Sequence, residues 1–96
     1  MTAAERGSKP VADRGRVWRL LGAPAEQVGS VNDPREHREH GVDWNEKWVY
    51  LSHGPERHGE VVRIVFWNRY DLAGIFGVKP DGGVEPESLP DEGEAG

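Results

Sequence analysis

The chain has no cysteine among its 96 residues. That removes disulfides, thiolate nucleophiles and thiolate metal sites at once. Long hydrophobic runs are missing too. No apolar stretch approaches the ~20 residues that span a bilayer, and the N-terminal segment holds no continuous apolar block of the secretory kind. These gaps set the expectation of a soluble, cytoplasmic protein that does not enter a membrane. There is no Gly-x-Ser-x-Gly elbow, no phosphate-binding glycine loop and no dinucleotide fingerprint, and no pair of carboxylates stands out for acid–base work. These absences favour a non-enzymatic protein without cofactor and with no catalytic residue to name, a histidine-based metal protein or small enzyme being the alternative.

Basic charge is in short supply at one end and acidic charge at the other. The formal net charge is −5, with five basic and two acidic groups in residues 1–20 but six acidic and no basic groups in residues 80–96. An acidic total disfavours a general nucleic-acid binder, which carries a basic footprint. Apolar residues are 35% of the chain, and Leu, Ile, Val and Phe number 20 together. That lies just above the level at which a charged chain fails to build a core. The average hides a segregation. Residues 42–79 hold 18 of the 34 apolar residues, with three of the four Trp and both Phe, so the packed unit centres there.

Its middle is Glu60 to Val78, two runs of β-branched and aromatic residues divided by Arg69-Tyr70-Asp71. The pattern predicts a β-hairpin. With a three-residue loop, Asn68 pairs with Leu72, and counting outward sets Phe66 against Gly74, Ile64 against Phe76 and Val62 against Val78. On the opposite face Trp67 meets Ala73, Val65 meets Ile75 and Arg63 meets Gly77. Both faces are apolar, and a lone hairpin is not stable in water.

Around it the chain divides into a disordered tail over 1–15, one β-rich domain over 16–87 and an acidic tail over 88–96. Arg16–Leu21 reads as a short strand, with a helix as the alternative, because the run is too brief for its period to decide. Pro24 to Val28 suits one helical turn, with Gly29 beyond its end. Asn32 or Asp33, followed by Pro34 and Glu36, resembles a helix start, which predicts the chain's one short helix over 34–40, ending at Gly41. Lys47–Ser52 reads as a strand, Lys79–Gly83 as a turn and Val84–Pro86 as a short edge strand. The fold class is therefore mainly β: an antiparallel meander of three to five strands, open, curled or closed into a small barrel.

Three groups of side chains invite a functional reading. His37 and His40, three apart on the expected helix, would share one face and could share a metal, although the spacing matches neither zincin motif. Arg63 and Trp67 share a sheet face and, with Arg69 and Tyr70 at the hairpin tip, offer flat guanidinium and ring surfaces on which single-stranded bases could stack. Alternatively Trp67 belongs to the core and the Arg63 stem lies over it, which the net charge favours. The tip itself, Asn68-Arg69-Tyr70-Asp71, is a polar, aromatic-bearing loop on the most rigid element. Finally, Arg16–Leu21 and Val28–Val42 offer few large side chains to cover two apolar faces. At ~25 cal/mol per Å² an uncovered Trp and Ile would forgo several kcal/mol. That shortage predicts a second copy, as a homodimer, or another protein partner completing one face.

Overall fold

The computed structural model describes residues 14–89, so the expected tails over 1–15 and 88–96 lie largely outside the described residues. In chain order the elements are α1 (Arg14–Leu21), β1 (Glu26–Gly29), β2 (His37–Glu39), β3 (Val42–Trp44), β4 (Glu46–Leu51), β5 (Val61–Asn68), β6 (Asp71–Val78) and β7 (Val84–Pro86). Five strands form one antiparallel sheet in the order β1-β4-β5-β6-β7, while β2 and β3 form a separate ribbon. The described residues are thus mainly β with one short helix. The sheet stays open between β1 and β7 rather than closing into a barrel. No helix among the described residues is long and apolar enough to cross a membrane.

The central hairpin keeps the expected register over most of its length. Arg63 pairs with Gly77, Ile64 with Phe76, Val65 with Ile75 and Phe66 with Gly74. Near the tip it departs from expectation: Trp67 pairs with Leu72 and Asn68 with Asp71, with a register shift between Phe66 and Trp67. The loop therefore holds only Arg69 and Tyr70, and Ala73 is the extra residue of a bulge. A two-residue loop plus one bulged residue consumes the same number of residues as a three-residue loop, which is why the outer pairs agree.

Two expected helices give way to strands, and the expected strand at Arg16–Leu21 is the helix. Within α1, Arg14, Val17 and Leu21 turn toward the sheet at spacings of three and four, the helical repeat. Gly22 ends it at φ +85°, its N–H donating to Trp18 O at 2.7 Å. The Pro24–Val28 segment instead supplies β1, against β4. The helix expected over 34–40 is replaced by an irregular segment and β2, and the Arg35 carbonyl is engaged by Asn45 rather than in a helical turn. The Asn45 amide donates to Asp33 O at 3.3 Å and to Arg35 O at 2.9 Å, and the Asp33 carboxylate accepts the Arg35 N–H at 2.9 Å. His40 and Gly41, both at positive φ, then make a two-residue turn of the kind that closes hairpins, and His37–Glu39 pairs with Val42–Trp44.

These two pieces cover the two faces. Under α1, Val17 joins Trp48, Tyr50, Val65, Trp67 and Ile75 in one cluster, with Leu21, Leu72 and Leu89 around it. Under the β2–β3 ribbon, Trp44 joins Ile64, Phe66 and Phe76, flanked by residues that include Val28, Val42 and Val84. Trp67 is 0% exposed and Phe76 8% within the single chain. The shortage of cover expected from the sequence is therefore not found. The ribbon delivers Trp44, and His40 lies 5.5 Å from the Phe76 ring, so polar-looking sequence covers more apolar area than its composition suggests. One long-range anchor holds α1 down. The Arg14 guanidinium lies 5.2 Å over both the Trp48 and Trp67 rings and 2.6 Å from Glu46, whose other oxygen accepts the Trp48 indole N–H at 2.8 Å.

Candidate interaction surface

With Trp67 and Phe76 covered, the most exposed aromatic side chain, Tyr70, stands at the end of the sheet where the β5–β6 turn meets the loop between β1 and β2. Asn45, between β3 and β4 and 1% exposed, organises this end. Its backbone N–H donates to Trp67 O at 2.8 Å, and its carbonyl accepts from Ser30 N at 3.2 Å. Gly29 must lack a side chain here, because a Cβ would collide with the Asn45 carbonyl, and its φ is +79°. The Asn45 amide nitrogen holds the loop at Asp33 and Arg35, while its Oδ1 accepts the Arg69 N–H at 3.0 Å. Asn68 adds a second clasp, donating to Asp43 O at 3.3 Å and to the Glu36 carboxylate at 3.2 Å. Every hydrogen-bonding atom of the Asn45 side chain is used, so one residue fixes two loops against the sheet.

Upon this base stand Arg69 and Tyr70. Arg69 is held at φ +59° without being glycine, a conformation that disfavours L side chains by about 1 kcal/mol. Its guanidinium donates to Val31 O at 3.2 Å, a neutral acceptor that leaves the positive charge uncompensated by that contact. The neighbouring arginines differ: Arg35 is paired with Asp33 at 3.2 Å and Arg38 with Asp43 at 2.9 Å. The hydrogen bonds from Arg35 hold the Asp33 carboxyl below the ordinary carboxylate range. Tyr70 is 68% exposed and Trp18, on the outside of α1, is 44% exposed. Trp18 is engaged, its ring edge-on to Trp48 at 5.6 Å. No ring contact engages Tyr70 among the described residues.

The other residues singled out in the sequence are placed apart from this tip or inside the core. Trp67 is sealed beneath α1, so it offers no face for a base to stack on. Arg63, four residues earlier on β5, is tied through Nε to Glu87 at 2.8 Å. Of the four residues named for stacking, only Arg69 and Tyr70 reach the surface together. His37 stacks on Trp44 at 4.5 Å with planes 29° apart, and His40 contacts Glu39 at 3.6 Å besides Phe66 and Phe76. Both imidazoles thus lie over the same aromatic cluster from the ribbon rather than on a helix face. Among the described residues no group of three or more His, Asp or Glu side chains stands together as a metal site.

Sequence reasoning missed Asn45 and Glu46, two of the three buried polar residues among those described. Their signal was positional only: polar side chains interrupting Trp44 and Trp48 in the middle of an otherwise core-forming segment. No protein-family model matches the chain, and neither a curated protein nor a solved structure shows significant similarity to it.

Proposed function

We propose that this chain works in the cytoplasm as a non-enzymatic protein-interaction module and meets its partner through the Arg69–Tyr70 tip. The observation that carries the reading is a 68% exposed tyrosine beside an arginine kept in a left-handed conformation by Asn45. A turn whose only task is to close the hairpin would use glycine or asparagine there and spare the strain. Tyrosine and arginine are the residue types enriched where protein interfaces concentrate their energy. A backbone already fixed by Asn45 loses little freedom on binding, so more of the contact energy appears as affinity.

A second copy of the chain is the first partner to consider, with the tip and the sheet edges replacing an apolar face as the contact. The rival reading, a single-stranded nucleic-acid binder, needed Arg63 and Trp67 as part of its platform. With Trp67 buried, Arg63 in an ion pair and a net charge of −5, a protein partner is the better supported of the two. The test is a photo-crosslinking amino acid placed at position 70 of the full chain in its native cells, with position 56 as the control. Products at 70 that are absent at 56 and weakened by Arg69→Ala are expected; a product of twice the chain mass identifies self-association. Equal labelling at both positions contradicts the reading.

A further inference from the structure

A cleft of about 300 Å³ opens on the α1 side of the sheet, at the opposite flank from the tip, lined by Leu21, Arg63, Ile75, Glu87, Ser88 and Leu89. Its construction follows from two pieces of chain that fail to meet. Leu21 closes α1 on one side, and on the other the chain beyond β7 continues alongside β6, Glu87 N donating to Ile75 O at 2.8 Å, before Leu89 packs on the core cluster. The Glu87 carboxylate lies over Gly77, where a larger residue would have to displace it. Leu21 and Leu89 both pack against the core cluster, and between them Ile75 and Arg63 are left as the floor.

The geometry points to this cleft as a binding site for a small carboxylate with an aliphatic body. Its volume falls at the lower end of ligand sites, which combine apolar walls with a few placed polar groups. Leu21, Ile75 and Leu89 supply the walls. Arg63 supplies the polar group: only its Nε is engaged with Glu87, and no hydrogen bond among the described residues occupies its two Nη groups. A guanidinium bound along one edge still presents its end-on pair of N–H groups to a second carboxylate. Glu87 neutralises part of the charge and keeps the planar group oriented, and Ser88 also lines the cleft. The site goes beyond the interaction reading and shares no residue with the tip.

Titration of the ¹⁵N-labelled full chain with hexanoate, and in parallel with 1-hexanol, tests it. Saturable shifts at the amides of Leu21, Ile75, Ser88 and Leu89 are expected, with hexanoate bound about tenfold more tightly than the alcohol, the worth of one charge-assisted contact. Arg63→Met removes that preference. Leu89→Asp, at the end of the described chain and outside the strands, abolishes binding of both ligands while leaving the dispersion of the spectrum intact, so a folding defect in the arginine variant does not obscure the result. Shifts scattered without saturation, equal binding of acid and alcohol, or a Leu89→Asp protein that binds hexanoate as the parent does would each overturn the proposal.

Discussion

Tyr50 shows how a single buried group ties stability to pH. Its hydroxyl donates to Gly22 O at 2.9 Å, linking β4 to the end of α1. Burial pushes the phenol up from 10.0 to about 12, partly opposed by the nearby Arg63 charge. The unfolded chain therefore releases this proton first. Between those two values the unfolded state holds fewer protons than the folded one, so stability is intact below pH 10 and declines as the pH climbs toward 12. Urea midpoints followed by tryptophan fluorescence across that window are expected to fall in the parent and to fall less steeply in Tyr50→Phe. Parallel slopes would remove Tyr50 as the source. At this scale much was legible: the Val, Ile and Phe pairs of β5 and β6 follow from counting. Asn45 was not, because its hydrogen bonds reach residues 10, 12 and 24 positions away, and nothing local to an asparagine announces such partners.

Among elements, α1 and the β2–β3 ribbon decide the fold; the sequence favours a strand over a helix for the first and a helix for the β2 segment of the second, and the structure has the reverse. Eight residues are too few for an apolar period to separate helix from strand. What settles α1 is tertiary: Val17 and Leu21 reach the sheet together, and Arg14 has a buried partner in Glu46. Residues 34–40 carry helix-start chemistry, yet the helix would have had a wholly polar surface and nothing to bury. As a strand the same residues pair with Val42 and Trp44 and gain a face on the core. The turn signal was present in His40-Gly41, where glycine, and less readily histidine, accepts positive φ. Glu46→Ala is expected to loosen α1 specifically. It leaves the Arg14 charge over two indole rings and the Trp48 N–H without its acceptor, a loss of about 2–3 kcal/mol. Hydrogen exchange should show amides of residues 17–22 losing protection more than those of β5 and β6; uniform loss across the chain would mean that Glu46 supports the sheet itself.

For the whole molecule, the sequence correctly implied an apolar sheet with two sides to cover and misjudged who covers them. Composition counts large side chains but not their placement. Trp44 and His40 on the ribbon, with His37 stacked on Trp44, conceal more of Phe66 and Phe76 than a tally of polar residues allows. Once each face is closed from within, the exposed chemistry lies at the loops and edges, which is why the proposed contacts are assigned to the tip and the cleft. The most direct check is indole N–H exchange at Trp67, followed by NMR on serial dilution. Closure by the chain's own helix requires slow exchange at a rate independent of protein concentration. Exchange that accelerates as the protein is diluted would mean that a second chain shields that ring, and the sheet would not be closed by its own chain.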